Sequence, residues 1–294
     1  MVEKFSYALY KILFFLDFLF FKITQRRFLK FFAKFLEAKS YQEINILNKA
    51  VNFFIPNDLV KWRVETFFIK EPETLEWIDS FKDDDKLIFW DIGANIGLYS
   101  IYASLKYKNI EVVSFEPSTS NLRVLSRNIS INKLEDKIKI CSFPLTNKEN
   151  QFLLMKEGQF IEGAALNSFG ESFDFEGNDF DSKNNYKIYG TSINYLIENN
   201  ILLIPDYIKI DVDGIEHLIL EGGDKFLNHK KVKSISIEIN DSFKDQHDSI
   251  QKYMKQFNFI FKHKMHSHLP GESGPPVTYN YVFEKYEHHV LMDE

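Results

Sequence analysis

The stretch "KLIFWDIGANIGLYS", residues 86–100, decides how the rest of this chain is read. Four apolar residues run into an acid, Asp91, and then two glycines, Gly93 and Gly97, bracket Asn95. A short apolar run bounded by glycines reads as a buried strand. The apolar spacing resumes at once in "IGLYSIYASLKY" (96–107), which predicts a helix opening directly from the turn. A strand that passes through bare backbone into a helix offers unpaired N–H groups to a ligand at the turn.

The same alternation recurs downstream. "IEVVSFEP" (110–117) reads as a second strand, and "STSNLRVLSRNISIN" (118–132) as a helix capped by Ser118 or Ser120, with Leu122, Leu125 and Ile129 on one face. "IKICSFPL" (138–145), "DYIKIDVDG" (206–214) and "VKSISIEIN" (232–240) read as the third to fifth strands, and "IEHLILEGG" (215–223) as a helix stopped by glycine. "FNFIFKH" and "TYNYVFEKY" close the series without a helix between them. The pattern predicts an α/β fold: a mostly parallel seven-stranded sheet, helices on both faces, and an antiparallel edge hairpin. The acidic stretch "GESFDFEGNDFDSKNN" (170–185) has no periodicity and reads as a solvated loop beside a substrate mouth. It is not a calcium loop, because the sixth position from Asp174 is Asp179 rather than glycine.

The chain has 294 residues and a net charge of -6, which argues against a nucleic-acid binder. A single cysteine, Cys141, gives no internal disulfide and fits a cytoplasmic setting. The charge is uneven: residues 1–40 hold eight bases against three acids. Within that leader, "FSYALYKILFFLDFLFFKITQRRFLKFFAKFL" has an apolar run, Ile12 to Phe21, broken by Asp17 and too short to span a bilayer. On a helix, Lys4, Lys11, Lys22 and Arg26 share one sector, and Leu9, Ile12, Leu16 and Leu19 lie opposite. Two readings stay open: a peripheral helix on the inner, anionic face of a membrane, or a helix packed on its own domain or on a second subunit in a homo-oligomer. The expected division is an N-terminal helical region, residues 1–80, and a catalytic domain, residues 81–294.

Three features converge on the carboxyl edge of the sheet, where open α/β sheets bind ligands. They are the glycine turn, Glu116 at the end of the second strand, and Asp211 with Asp213 at the end of the fourth. An acid at position 116 suits the two hydroxyls of a ribose. The turn lacks the G-x-G-x-x-G of dinucleotide binders, and Asp91 ahead of it disfavours a pyrophosphate. A cationic adenosine carrier such as S-adenosylmethionine fits better.

In that order, "FWDIGANIGLYSIYAS", "VVSFEPSTSNLRVLSRNISIN" and "YIKIDVDGIEHLILEGG", followed by "SISIEIN" and "NYVFEKY", resemble the FkbM family of S-adenosylmethionine-dependent methyltransferases over about residues 86–286. The resemblance implies a class I, Rossmann-like methyltransferase fold and O-methylation of a sugar or other metabolite hydroxyl. It implies that Asp91, Gly93, Asn95 and Gly97 form the methionine-side loop, that Glu116 holds the ribose, and that Asp211, Gly214 and Glu216 match the stretch after the fourth strand. Asp213 stands where the family has glutamate, with a shorter reach. Asp211 is the first candidate for the base that deprotonates the acceptor, and His263, His266 and His268 come second. A divalent metal on Asp211, Glu238 and Asn240 is a minority alternative. Two other functions stay in play: an NAD-dependent oxidoreductase and an inactive membrane-associated module.

Overall fold

A computed structural model describes residues 1–82, 86–266 and 276–286. In chain order the elements are α1 (Val2–Thr24), α2 (Lys30–Ala38), β1 (Tyr41–Ile46), β2 (Lys49–Phe54), α3 (Asp58–Glu65), α4 (Phe67–Lys70) and α5 (Pro72–Asp79). There follow β3 (Leu87–Ile92), α6 (Leu98–Lys106), β4 (Ile110–Phe115), α7 (Thr119–Ile131), β5 (Ile138–Cys141), β6 (Gln151–Glu157), β7 (Asn167–Phe169) and β8 (Asn184–Gly190). The last group is α8 (Ile193–Glu198), β9 (Tyr207–Ile210), α9 (Glu216–Glu221), β10 (Ser234–Asn240), α10 (Lys244–Gln256), β11 (Phe259–Met265) and β12 (Thr278–Lys285).

Seven strands form one sheet in the order β11-β12-β10-β9-β3-β4-β5. The pairs β3·β4, β4·β5, β3·β9 and β9·β10 are parallel, and β12 runs antiparallel to both its neighbours. All seven strands expected from the sequence are present, and the late hairpin lies at the edge, with β12 inserted between β10 and β11. A separate three-stranded sheet, β7-β6-β8, falls between the third and fourth strands of the parallel series. The sequence pattern gave no sign of it, because its outer face alternates polar and exposed apolar residues without a clean period.

Period-two alternation sorts the side chains to two cores. Leu87 and Phe89 face one core with α5, α6 and α7, while Ile88, Trp90 and Ile92 face the other with α8, α9 and α10. On α10 the buried Ile250 and Met254, with Phe257 at its C-cap, recur at helical spacing against the second core. Local signals set the helix starts. Asn57 caps α3 by accepting the Val60 N–H (2.9 Å), Pro72 opens α5, and the Ser192 hydroxyl accepts the Tyr195 N–H (3.0 Å) at α8. Ser118 stands at the N-cap of α7, yet its hydroxyl makes no capping bond; the Glu116 carboxylate takes the Ser118 N–H instead. Gly222 ends α9.

Two expectations for the N-terminal region need correcting. It is not wholly helical, because β1 and β2 form an antiparallel hairpin. Nor does the packing break near residue 80: Phe53, Val60, Phe67, Trp77 and Phe81 share one core with Phe89 and Val112 of the large sheet. Trp77 donates its indole N–H to Ser234 Oγ (2.9 Å), and Phe81 stacks on Tyr207 with ring centroids 3.7 Å apart. Only α1 and α2 stand outside that core. On α1 the residues Leu9, Ile12, Leu16 and Leu19 are all exposed, so the helix does not pack on its own domain. Asp17, which interrupts the apolar run, is buried for a local reason. Its carboxylate accepts the N–H groups of Phe28 (2.7 Å) and Leu29 (2.9 Å) and pairs with Arg27 (2.9 Å), turning the chain from α1 into α2. Among the described residues no helix is long and apolar enough to cross a membrane.

Candidate active site

The strand order reverses between β3 and β9, and a cavity of about 370 Å³ opens there, beyond the strand carboxyl ends. That volume suits a small-molecule ligand. One wall is the turn after β3. Gly93 has φ +86°, and a Cβ there would lie 1.8 Å from the Asp211 carbonyl oxygen, so the turn can press against the end of β9 only as glycine. Asn95 is also left-handed (φ 50°). Its N–H reaches Glu116 Oε2 (2.8 Å), its Nδ2 reaches the Ala164 carbonyl (3.0 Å), and its Oδ1 is buried without a partner. Glu116 ends β4 and accepts one backbone N–H on each oxygen, from Asn95 and from Ser118 (2.8 Å). The Asn121 side chain also bonds this carboxyl, which still lines the cavity. Burial pushes this carboxyl up to about 8 against the pull of those N–H groups.

Parallel register builds the floor in two polar rungs on the α5 side of the sheet. In the first, Ser114, Asp91, Lys209 and Ser236 stand side by side on β4, β3, β9 and β10. Asp91 is fully buried and accepts the Ser100 hydroxyl (2.5 Å), which also meets Ser114 Oγ (2.7 Å). Burial raises its carboxyl, against the attraction of Lys209. In the second rung, two residues further along, Asp211 sits beside Glu238, which faces Asn280 on β12. Lys209 spans the rungs, with its ammonium 2.5 Å from Asp211 Oδ2 and 5.0 Å from the Tyr99 ring centre. Burial disfavours that charge, but Asp211, Glu71 and Asp91 outweigh it and raise the lysine above its ordinary range.

The opposite wall comes from α3, α4 and the start of α5: Trp62, Arg63, Phe67, Lys70 and Glu71 line the cavity. Lys70 pairs with Glu71. Burial would raise the Glu71 carboxyl, but Lys70 and Lys209 together hold it down at about 2. The roof is the segment between β6 and β7. It is fastened by Asn121, whose Oδ1 accepts the Gly163 N–H (2.8 Å), and by Asp213, whose Oδ2 accepts the Leu166 and Asn167 N–H groups (2.8 and 3.1 Å). Burial, with Asp211 beside it, lifts the Asp213 carboxyl to about 6. Asp213 thus holds the roof, which a short side chain in left-handed backbone (φ 65°) can do. Phe175, from the acidic loop, also lines the cavity.

Gly93, Asn95, Glu116 and Asp211 therefore meet in one cavity, and Asp91, Gly97, Glu216, His263 and His266 do not line it. Asp91 lies beneath the lining, turned to Ser100 and towards Lys209. Gly97 is bare for packing, since a Cβ there would lie 2.5 Å from Leu125 Cδ1. Glu216 is buried under the turn after β9, accepting the Val212 and Gly214 N–H groups and the Gln246 amide (2.5 Å). Of the histidines, His263 is exposed on β11, His266 packs near Tyr279 outside the lining, and His268 lies outside the described residues. The metal alternative is not assembled. Asn240 spends its amide on the Phe175 carbonyl (3.1 Å) and the Ser242 N–H (2.9 Å), and the cation beside Asp211 is Lys209. Among the described residues no three His, Cys, Asp or Glu side chains group as a metal site.

An open, mostly parallel sheet with a carboxyl-lined cleft at its switch point places this protein among the doubly wound α/β chains that seat a ligand at strand carboxyl ends. The chain belongs to the FkbM methyltransferase family: the Methyltransferase FkbM domain matches residues 91–261, more than half of its length. Its seven-stranded sheet has the class I methyltransferase arrangement. It is 43% identical over 49 residues to Methyltransferase sdnD of Sordaria araneosa, a match that covers 17% of this chain and about a fifth (19%) of that protein. Among solved structures it is similar to methyltransferase FkbM from Methylobacillus flagellatus KT, with 17% identity and a TM-score of 0.43, covering 69% of this chain and 44% of that one. It is also similar to precorrin-6y C5,15-methyltransferase from Geobacter metallireducens GS-15, with 14% identity and a TM-score of 0.45, covering 74% and 87%.

Proposed function

We propose that this protein is an S-adenosylmethionine-dependent methyltransferase that methylates a hydroxyl oxygen of a sugar, on a glycan, a lipid-linked saccharide or a related metabolite. The observation that carries the cofactor reading is Glu116, a carboxyl group lining the cavity one strand away from the bare turn at Gly93. Five carboxyl groups line the cavity, and its three basic side chains are already engaged, Arg63 with the Gly163 carbonyl, Lys70 with Glu71 and Lys209 with Asp211, an arrangement that opposes a pyrophosphate. The dinucleotide oxidoreductase is disfavoured on that ground. S-adenosylmethionine, when bound, supplies an electrophilic methyl carbon and leaves as a neutral thioether. In this reading Glu116 holds the ribose hydroxyls, and Gly93, Asn95 and Asp211 lie along the methionine portion.

The acceptor class rests on family analogy. Trp62, Phe67 and Tyr99 beside Lys70 and Glu71 give the far wall aromatic faces next to charged hydrogen-bonding groups, chemistry that suits a polyhydroxyl ring. The test is direct binding of S-adenosylmethionine and NAD to the purified chain and to Glu116→Ala. The expected result is S-adenosylmethionine binding that the substitution weakens at least tenfold. Preference for NAD, or indifference to both, overturns the reading. For the leader, we read α1 and α2 as lying on an anionic membrane surface, supported by their exposed apolar residues and their excess of basic charge. Deleting residues 1–40 should abolish sedimentation with phosphatidylserine vesicles and leave cofactor binding intact. A truncated chain that still pellets refutes it.

A further inference from the structure

The five carboxylates that line the cavity belong to Glu71, Glu116, Asp211, Asp213 and Glu238. Four of them are engaged. Glu71 is paired with Lys70, Glu116 holds two backbone N–H groups, Asp211 is held by Lys209, and Asp213 is fastened to the roof. Glu238 is different: among the described residues it makes no hydrogen bond and no ion pair. Strand order sets its place. Glu116, Asn95 and Asp211 follow the ends of β4, β3 and β9, and Glu238 lies within the last paired residues of β10, so Glu116 and Glu238 stand three strand spacings apart across the sheet, roughly 14 Å at about 4.8 Å each. With a ribose at Glu116, the reacting end of an elongated cofactor points towards Glu238, the side on which Glu71, Lys70 and Trp62 form the far wall.

We infer that Glu238, rather than Asp211, is the general base: the one lining carboxylate with its lone pairs uncommitted, at the end of the cavity away from the ribose site. This rests on the S-adenosylmethionine reading of the same cavity. The Glu238 carboxylate takes the proton of the acceptor hydroxyl, breaking that O–H bond and leaving the electron pair on the oxygen that bonds the methyl carbon. The pair of the broken carbon–sulfur bond stays on sulfur, and the proton stays on Glu238 until solvent removes it. Asp211, tied to a buried ammonium, keeps Lys209 and the β9 turn in position.

The charges that face Glu238 support this assignment. Burial disfavours its ionised form, Asp211, Glu71 and Asp213 add repulsion, and Lys70 alone opposes them, so the carboxyl lies well above its ordinary range. Glu238 therefore holds a proton more firmly than an ordinary carboxyl, and a cation entering the cavity weakens that hold and readies the base. A neutral ligand of the same shape does not.

Calorimetry in buffers of different ionisation enthalpy measures this. Measured from about pH 5 to 9, S-adenosylmethionine should release more protons than S-adenosylhomocysteine from the wild-type chain. Any proton lost at Glu116 is common to both ligands, because both carry the ribose, and cancels in the difference. In Glu238→Gln the difference should fall to near zero, and in Glu238→Asp it should persist. Thermal unfolding of each variant guards against a folding defect. An unchanged difference in a folded Glu238→Gln, or no difference in the wild type, overturns the inference. Failure of the wild type to bind either ligand instead overturns the methyltransferase reading beneath it.

Discussion

The two walls of the cavity are built by opposite means. The wall after β3 and β4 is mostly backbone: a glycine turn, the N–H groups of Asn95 and Ser118, and one carboxylate that gathers them. The far wall is mostly side chain, with Trp62, Phe67, Lys70 and Glu71 from the N-terminal segment set against Lys209 and Glu238 of the sheet. A backbone wall needs particular residues at fixed, short spacing, and it serves a ligand whose shape does not vary. A side-chain wall is assembled from segments more than a hundred residues apart and can be altered one residue at a time. On the function proposed above, the first is the cofactor site and the second the acceptor site.

That contrast gives graded predictions. The largest effect is expected where the far wall meets the floor. Lys209 is buried among three carboxylates, so Lys209→Met should destabilise the fold by about 3–5 kcal/mol in urea unfolding. A loss below 1 kcal/mol would mean that the ion network carries no weight. Next comes Gly93→Ala in the backbone wall. Its positive φ alone should cost about 1–3 kcal/mol, and the clash with the Asp211 carbonyl should move β9 and weaken S-adenosylmethionine binding. Wild-type affinity in a stable Gly93→Ala protein would contradict a rigid backbone wall.

A smaller effect separates the walls by pH. Glu116 titrates near 8 in the folded chain, Glu216 near 7 and Asp213 near 6, each above its unfolded value. The folded state therefore binds more protons than the unfolded one, and its stability should fall as pH rises from about 5 to 8, by at most about 1.4 kcal/mol per pH unit for each group. Glu71 acts in the opposite sense, since its value near 2 adds stability above about 4.5 that is lost only in strong acid. Glu116→Gln should flatten the decline between pH 5 and 8, and a slope unchanged by the substitution would count against its raised value. The smallest effect belongs to the rim of the far wall. Trp62 is 39% exposed, so Trp62→Ala should change stability by no more than about 0.5 kcal/mol while raising KM for a sugar acceptor. Equal losses in kcat and stability would assign Trp62 to the core instead.

Much of the first wall was legible before folding was considered. Gly93, Asn95 and Glu116 fall in "FWDIGANIG" and "SFEP", where strand, turn and helix signals crowd within a few residues. The same motif misled at Gly97 and Asp91. A glycine needed for helix packing looks the same in sequence as one needed for a ligand, and an acid one step before a strand end looks the same as one at the end. The far wall gave no such signal. Lys209 alternates with isoleucines in "YIKID" and reads as a lone charge in a strand, and "FFIKEPETLEW" reads as an ordinary helical stretch.

What the sequence by itself determined was the alternation of strands and helices, the family, and the wall made of backbone, because hydrophobic period and glycine placement are local properties of a chain. What only the tertiary structure decided was which charges meet. The register of β3, β9 and β10 sets Asp91, Lys209 and Asp211 on one face and brings Glu238 beside Asp211, and the packing of α4 and α5 carries Lys70 and Glu71 over them. Partners are then chosen by the sheet, and the lining carboxylate that has no partner among the described residues is recognised only once the others have been paired.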